Sequence, residues 1–170
     1  LHGFPEFWYS WKKVMNELAA DFRLIVPDQR GYNLSDKPGA VSDYVIDSLL
    51  TDIGALIDRV STEPVVIVGH DWGGPVAWET AHAFREKVRL MISANGPHPN
   101  VFGNLLAGDS EQQEASSYMS WFAATGTENL LMANDFAILA SFFDGILTAN
   151  ELEVYKEAWG QENAIWGGLN

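Results

Sequence analysis

The sequence contains no cysteine and few basic residues. The lack of cysteine excludes disulfide bonds, a thiol nucleophile and a thiolate zinc site. Ten lysine and arginine residues stand against 23 aspartate and glutamate residues, which gives a net charge of -13. A chain this acidic is a poor candidate for binding nucleic-acid phosphates or anionic lipid. We therefore expect no nucleic-acid partner. We also expect no membrane-spanning segment, because no apolar run is long enough to span a bilayer.

Apolar and aromatic residues, in contrast, are plentiful. The 170 residues are 47% hydrophobic and 12% aromatic, which suits a packed core and excludes a disordered tail or a coiled coil. The length is that of one ordinary domain. The chain begins at Leu1 without an initiator methionine or a signal-like leader. A cytoplasmic location is predicted only because no leader is seen. Since the sequence does not start with methionine, the absence of a leader is uninformative.

Helical and strand patterns alternate over the first 97 residues. A β-branched run such as residues 64–68 is typical of a strand in a parallel sheet that is covered on both faces. Strands separated by helices predict crossover connections and therefore a parallel sheet. The predicted helices cover residues 7–20, 42–60 (with Ser42 as N-cap) and 75–85, the predicted strands cover 22–27, 64–68 and 88–93, and a loop covers 28–41.

The pattern changes after residue 98. Residues 100–170 contain no convincing strand, and their apolar residues recur at helical spacing. They hold ten acidic residues and one basic residue, Lys156, whereas the first 97 hold 13 acidic and nine basic residues. We therefore predict two units, residues 1–97 and residues 98–170, with the acidic residues of the second on a solvated face.

The sharpest motif is Gly69-His70-Asp71-Trp72-Gly73-Gly74, directly after a predicted strand and before a predicted helix. Small residues on both sides allow a tight turn that holds the central side chain exposed at the carboxyl edge of the sheet. The central residue, Asp71, is ionised at neutral pH and can attack an sp³ carbon without a base, forming an alkyl ester. The alternative is an ordinary glycine-rich turn in which Asp71 caps the helix.

A second motif, His2-Gly3-Phe4-Pro5, stands where a loop at a strand end precedes the first helix. In enzymes with a nucleophile elbow, a backbone N–H of such a loop and the N–H after the nucleophile form an oxyanion hole. Here the two donors are the backbone N–H groups of Phe4 and Trp72. The alternative is a simple turn closed by Pro5.

Taken together, the motifs resemble the epoxide hydrolase and haloalkane dehalogenase group of the α/β-hydrolases. The resemblance covers essentially all 170 residues. It implies an α/β fold class, namely a partial α/β-hydrolase fold with a parallel sheet, flanking helices and part of an inserted helical cap. The matching segments, in the order and spacing of the family, are 2–6, 27–32, 35–38, 69–74 and 95–99.

The resemblance also implies roles for single residues. Asp71 resembles the alkylating nucleophile, and Phe4 and Trp72 resemble the oxyanion-hole donors. The stretch around Tyr118 resembles the one that presents the first of two ring-opening tyrosines, whose phenol donates a hydrogen bond to the epoxide oxygen. The alternative for Tyr118 is an amphipathic cap residue. No cofactor is implied, since carboxylate, imidazole and phenol groups suffice for this chemistry.

The resemblance also shows departures. The second tyrosine, the catalytic acid and the water-activating histidine have no counterpart in the sequence. We therefore expect a fragment of an enzyme of about 300 residues, inactive for turnover by itself. The histidines His2, His70, His82 and His98 each have a structural role available, and they show no paired metal-ligand spacing.

Other polar and aromatic residues receive structural interpretations. Asp28 and Arg30 are predicted to pair and brace a loop, and Asp36 belongs to a turn. Four aromatic residues are predicted to lie in the core, with some lining an apolar cavity between cap and sheet. These four are Trp121, Phe122, Phe142 and Phe143.

Three functions follow as hypotheses. The first is hydrolysis of a small apolar epoxide by water. The second is haloalkane dehalogenation, because the Trp72 indole can hold a halide, although such enzymes usually carry asparagine where Phe4 stands. A fluoroacetate dehalogenase fits less well, because that group has arginine at the position of Trp72. The third is a non-catalytic ligand-binding homologue. The sequence leaves the oligomeric state open.

Overall fold

The computed structural model describes residues 1–170 and shows short parallel strands with helices around them. All α-helices after residue 98 follow one another without an intervening strand, as predicted. None of the helices combines the length and the apolar character needed to cross a membrane. The α-helices are α1 (Lys12–Leu18), α2 (Ile46–Val60), α3 (Gly73–Ala83), α4 (Pro99–Gly108), α5 (Ser110–Ala115), α6 (Tyr118–Phe122), α7 (Thr127–Ser141), α8 (Ala149–Trp159) and α9 (Ala164–Leu169).

The sheet consists of β1 (Val65–His70) and β2 (Val88–Ala94), which pair in parallel. The β-branched residues of β1 favour the extended backbone, and α3 provides the crossover that parallel pairing needs. The register places His70 beside Ala94. The carboxyl ends of both strands therefore meet at one edge of the sheet, directly before α3 and α4.

The predicted strand over residues 22–27 is wrong. These residues have no regular secondary structure, and the side chains of Phe22 and Ile25 are 54% and 44% exposed. Their backbone makes no ladder hydrogen bond, and the Phe22 N–H instead donates to the Leu18 carbonyl at 3.0 Å, which closes a turn after α1. A strand forms only against a partner backbone, so the apolar run does not become one.

Helix boundaries also differ from the sequence prediction. A 3₁₀ turn occupies Val41–Tyr44, and Val45 is the N-cap of α2, without a side-chain cap. The prediction of Ser42 as N-cap is therefore wrong, because the chain enters this helix through an extra turn. The predicted helix over residues 7–20 is a 3₁₀ turn, Trp8–Trp11, followed by α1.

Two hydrophobic cores stabilise the chain. The first lies between α2, β1 and α3 and contains Ile53, Ile67 and Val76. The second joins Phe7, from the loop before α1, to side chains of the later helices. These are Leu131, Leu139, Tyr155, Ala158, Trp159 and Ile165. The helical part thus packs onto the loop that follows Leu1, while the division at residue 98 stays a prediction.

The four aromatic residues predicted for the core divide into two groups. Phe143 packs against the second core, and so does Phe122. Trp121 and Phe142 are 38% and 44% exposed, so the prediction is wrong for them. Apolar spacing along a helix does not by itself say which face a neighbouring element covers.

Helix α7 is interrupted by an unusual backbone segment. Asn134, Asp135 and Phe136 have positive φ values of 51°, 58° and 61°. Asparagine and aspartate tolerate this left-handed region, whereas a bulky residue adopts it at a cost. The Phe136 ring nevertheless packs against Trp159, with centroids 5.8 Å apart. Lys156 Nζ lies 2.5 Å from the Asp135 carboxylate, and both contacts hold the segment against α8.

Candidate active site

Asp71 forms the corner between β1 and α3. Its φ of 51° lies in the left-handed region, which is a strained conformation for a residue with a side chain. Two backbone hydrogen bonds fix it, since the Asp71 N–H donates to the Ala94 carbonyl (3.3 Å) and the Gly74 N–H donates to the Asp71 carbonyl (2.9 Å). The sequence motif predicted this sharp turn.

The loop after Leu1 meets this corner through a single backbone donor. The Phe4 N–H donates to Asp71 Oδ1 at 3.0 Å. The other carboxylate oxygen, Oδ2, accepts no hydrogen bond from the protein. The backbone N–H of Trp72 precedes α3 and likewise has no protein acceptor, as is usual for donors at a helix start. Three of the four predicted site residues therefore lie together.

Tyr118 approaches the same place through ring contacts. Its ring meets Phe122 edge to face at 5.8 Å, and the Phe122 ring meets Phe4 at 5.3 Å. Tyr118 is 52% exposed, and its hydroxyl makes no hydrogen bond within the protein. Tyr118 is thus connected to Phe4 only through the Phe122 ring, and it makes no hydrogen bond to Asp71.

His2 is held neutral beneath the site. Its side chain is fully buried, its Nε2 accepts from the Gln29 N–H at 3.0 Å, and its Nδ1 lies 3.0 Å from the Gly3 carbonyl. A carbonyl only accepts and an N–H only donates, so Nδ1 carries the proton. Burial lowers the pKa of His2 to about 4. His2 is therefore a structural residue, which excludes it as the water-activating base.

The other histidines are also engaged. His70 Nδ1 lies 2.9 Å from the Glu6 carboxylate. His82 lies 3.3 Å from the Arg85 guanidinium, and His98 accepts from the Asn100 N–H and caps α4. No group of three or more histidine, aspartate or glutamate side chains is arranged to hold a metal ion.

Two ionisable side chains next to Asp71 received no role from the sequence. Burial raises the pKa of the Glu6 carboxyl, His70 lowers it, and the charge of Asp71 adds to the rise. Burial also raises the pKa of the Tyr32 phenol, and Asp71 again adds to the rise. The Tyr32 hydroxyl donates to the Gly168 carbonyl at 3.1 Å. Glu6 lies in the matching segment 2–6 and Tyr32 in the matching segment 27–32. Membership of these segments was the feature of the sequence that could have indicated a place near the site.

The predicted pairing of Asp28 with Arg30 is wrong. Arg30 forms a two-pronged ion pair with Asp52, at 2.7 Å and 2.8 Å. Asp28 instead accepts from the Trp8 N–H and from the side chain of Asn33, both at 2.8 Å. Sequence neighbours in a tight loop point in different directions, whereas α2 presents Asp52 to the guanidinium. Both residues still brace the loop, as predicted.

Two cavities adjoin the loops. A small one of about 10 Å³ lies between Phe4, Tyr32 and the later helices, and this volume suits about one water molecule. A larger cleft of about 320 Å³ lies between the loop after residue 26 and α2. Asp71, Trp72 and Tyr118 line neither of them, so the cleft is separate from the predicted site.

One contact at the site joins distant parts of the chain. The indole N–H of Trp159, at the end of α8, donates to the Pro5 carbonyl at 2.7 Å. Trp159 is 4% exposed. The sequence carried no local signal for this contact, because the two residues are 154 positions apart and Trp159 belongs to no motif.

A strained acidic elbow beside a loop N–H places the chain in a known class. Residues 1–161 match the family described as alpha/beta hydrolase fold, and the chain belongs to this family. Within it, the chain is 42% identical to the AB hydrolase superfamily protein YfhM of Bacillus subtilis (strain 168), over 100% of this chain and 62% of that protein. It is 38% identical to epoxide hydrolase 4 of Homo sapiens, over 100% of this chain and 50% of that protein.

Solved structures agree with this assignment. An epoxide hydrolase of Bacillus megaterium in complex with an inhibitor superposes with a TM-score of 0.89 and 34% identity, covering 99% of this chain and 62% of that one. The α/β-hydrolase fold and the resemblance to the epoxide hydrolase group are thereby confirmed. The chain spans from 50% to 62% of the length of these proteins.

Proposed function

We propose that the protein containing this chain hydrolyses epoxides to diols through an ester on Asp71. The observation that carries the proposal is the hydrogen bond from the Phe4 N–H to Asp71 Oδ1. It fixes one carboxylate oxygen and leaves Oδ2 free, on a corner that exposes the side chain. The names of the epoxide hydrolase relatives support the same reaction class.

In the proposed first step, Asp71 Oδ2 forms a bond to an epoxide carbon while that carbon's bond to the ring oxygen breaks. The electron pair of the broken bond goes to the ring oxygen, which takes the proton of the Tyr118 hydroxyl. The aromatic contacts from Tyr118 through Phe122 to Phe4 give a neutral apolar substrate a place to lie. The product of this step is a hydroxyalkyl ester of Asp71.

In the second step, water adds to the ester carbonyl carbon, and negative charge develops on Oδ1. The Phe4 N–H already lies on this oxygen, and the free Trp72 N–H is the second donor of the proposed oxyanion hole. Collapse releases the diol, regenerates the Asp71 carboxylate and returns a proton to Tyr118. A base must assist the water. The buried His2 is bonded through both ring nitrogens, and none of His70, His82 and His98 is hydrogen-bonded to Asp71.

We also propose that residues 98–170 belong to a cap that covers this site. The contacts of Phe122 with Phe4 and of Trp159 with Pro5 support this proposal. Substrate and water are the proposed partners, and the substrate is apolar because the rings around Phe4 carry no charge.

A dehalogenase reaction is the second candidate. Trp72 is 47% exposed beside Asp71, and its indole N–H, which has no protein acceptor, can hold a leaving halide. The same Asp71 ester then forms with release of halide instead of ring opening.

The test uses the natural protein, with the sequence that flanks residues 1–170. Styrene oxide and 1-bromobutane are supplied separately, and diol and bromide are measured. Diol from the epoxide supports the proposal, bromide without diol supports the dehalogenase, and neither product with intact folding supports a non-catalytic binding protein. A single turnover in ¹⁸O-labelled water identifies the route, because the ester mechanism places the label in Asp71 and leaves the first diol unlabelled.

Residues 1–170 alone provide a second test. We expect the ester on Asp71 to form at most once and then to persist, because no histidine of the chain stands at the position that the family resemblance implies for the water-activating base. Mass spectrometry of the polypeptide after exposure to styrene oxide will show the mass of one adduct or no change. Repeated turnover by the isolated residues contradicts this expectation.

A further inference from the structure

Trp159 connects the helical part of the chain to the proposed oxyanion loop. Its buried indole N–H donates to the Pro5 carbonyl at 2.7 Å. Pro5 belongs to a tight turn, which the Glu6 N–H closes by donating to the Gly3 carbonyl at 3.1 Å. Phe4, whose N–H lies on Asp71 Oδ1, is the residue before Pro5. A shift of the Pro5 carbonyl therefore moves the Phe4 N–H within the same turn.

The Trp159 ring is itself fixed from several sides. Phe143 stacks on it at 6.1 Å, and Tyr155 meets it edge to face at 5.6 Å. Phe136, from the left-handed segment of α7, contacts it at 5.8 Å. Backbone strain at a bulky residue persists only where surrounding contacts determine it, and here the strained residue supports the indole. Phe136 of α7 thus contacts Trp159, and Trp159 in turn bonds to the turn at Pro5.

We propose that Trp159 is a positioning residue for the Phe4 N–H donor, an inference that rests on the proposed function. Trp159 takes no direct part in either proposed step, since its indole N–H is bonded to the Pro5 carbonyl. It acts through Pro5 by holding the turn so that the Phe4 N–H meets Oδ1. The helical part thereby contributes to the position of the Phe4 N–H in the proposed oxyanion hole through the bond from Trp159 to Pro5.

The two chemical steps depend differently on this donor. Ester formation uses Oδ2 and removes negative charge from the carboxylate, so it needs little help at Oδ1. Ester hydrolysis creates a full negative charge on Oδ1, where a displaced donor costs most. Loss of positioning therefore slows hydrolysis of the ester much more than its formation.

The test compares Trp159→Phe with Trp166→Phe in the natural protein. Phenylalanine at position 159 keeps an aromatic ring but loses the N–H. Trp166 is the matched control, because its ring packs on Tyr44 at 5.6 Å and its indole N–H bonds to no part of the loop. Rapid-quench mass spectrometry with styrene oxide measures formation and decay of the Asp71 ester separately.

In Trp159→Phe, we expect decay of the ester to slow about tenfold and its formation to change by less than about twofold. In Trp166→Phe, both rates stay within about twofold of the parent. Unchanged decay in Trp159→Phe, or an equal loss in both steps and both variants, overturns the inference. If Trp159→Phe does not fold, Phe136→Leu keeps the N–H but loosens its support, and unchanged ester decay in that variant overturns the inference equally.

A readout without chemistry separates this inference from the proposed function. Amide hydrogen exchange at Phe4 should be at least about tenfold faster in Trp159→Phe and unchanged in Trp166→Phe. If the parent forms no ester with epoxides, the proposed function fails while the exchange result still decides whether Trp159 positions the turn. Equal exchange in parent and Trp159→Phe contradicts the positioning role, whatever the activity.

Discussion

Gly3 shows, at the scale of single residues, how closely the loop approaches Asp71. A Cβ atom on Gly3 would lie 2.6 Å from Asp71 Cγ, so alanine there pushes the whole carboxylate, including the attacking Oδ2, out of its position. We expect Gly3→Ala to slow formation of the Asp71 ester about 100-fold, since a displacement of about 1 Å has effects of this size. Rapid-quench measurement with the natural protein and styrene oxide checks this.

Gly39 provides the matched control for this substitution. A Cβ atom at Gly39 meets nothing within 4 Å, so Gly39→Ala should leave the rate of ester formation unchanged. Misplacement of the carboxylate is expected to slow ester formation about 100-fold. If Gly3→Ala forms the ester at a rate within about threefold of the parent, the described geometry is contradicted.

The buried His2 predicts a pH dependence of stability. Burial lowers its pKa from 6.5 to about 4 in the folded chain, so the unfolded chain binds more protons between these pH values. The contribution of His2 to the free energy of unfolding is fully present above pH 6.5 and is lost as the pH drops towards 4. The full loss is about 3 kcal/mol for this one group. Urea unfolding between pH 7 and pH 4 measures it.

A histidine at the surface separates this effect from general acid denaturation. His2→Gln should flatten the pH dependence of the unfolding free energy, because the titrating group is removed. His82 is exposed, and His82→Gln should keep the slope of the parent. Equal slopes in the parent and in His2→Gln mean that His2 does not titrate as described.

Single residues were predictable from sequence where a short motif determines the backbone. Asp71 and Phe4 are examples, since glycine spacing predicts the elbow and the loop position predicts its donor. Trp159 is the opposite case, because its role arises only when α8 meets the turn at Pro5. Asp28 and Arg30 were paired wrongly for the same reason, as the partner Asp52 comes from α2.

At the scale of helices and strands, the close packing of α3 against β1 fixes the elbow at Asp71. A Cβ atom on Gly69 would lie 2.6 Å from the carbonyl carbon of Gly73 and 2.8 Å from the Cβ of Ala77. We expect Gly69→Ala to push α3 away and to lower the free energy of unfolding by about 1–3 kcal/mol, as overpacking does. Urea unfolding of the natural protein checks this.

Gly103 in α4 is the control of opposite sign. No atom lies within 4 Å of a Cβ atom built there, and alanine favours the helix over glycine by up to about 1 kcal/mol. Gly103→Ala should therefore stabilise the protein or leave it unchanged. If Gly69→Ala unfolds at the same urea concentration as the parent, the close approach of β1 and α3 is not essential.

Helices and strands were predictable where local pattern and tertiary contacts agree. β1 carries a β-branched run and β2 a largely apolar one, the two strands have each other as partners, and α3 follows from its glycine and proline start. Residues 22–27 carry a strand-like pattern but make no ladder hydrogen bond to another segment, and a strand does not form alone. The left-handed residues in α7 were also beyond the pattern, because they depend on contacts with Lys156 and Trp159.

The whole molecule has an uneven distribution of charge. Residues 100–170 hold ten acidic residues and one basic residue, and this one, Lys156, pairs with Asp135 at 2.5 Å and Glu153 at 3.1 Å. The remaining carboxylates have no cation from their own half of the chain. Mutual repulsion of like charges destabilises a compact state, and salt screens it.

We therefore expect added salt to stabilise the protein. Raising the NaCl concentration from about 20 mM to about 500 mM reduces the Debye length from about 20 Å to about 4 Å, which weakens repulsion between the exposed carboxylates more than it weakens the few close ion pairs. Tm should rise by a few degrees.

Two variants provide the controls. Glu111 and Glu114 are exposed and unpaired, so a Glu111→Gln/Glu114→Gln variant should have a higher Tm than the parent at low salt and a smaller rise of Tm with added salt. Lys156→Gln removes the one cation, and its rise should be larger than that of the parent. A Tm that falls with salt in the parent means that ion pairs outweigh repulsion, and the pairs of Lys156 with Asp135 and Glu153 then contribute more than the repulsion among the remaining carboxylates.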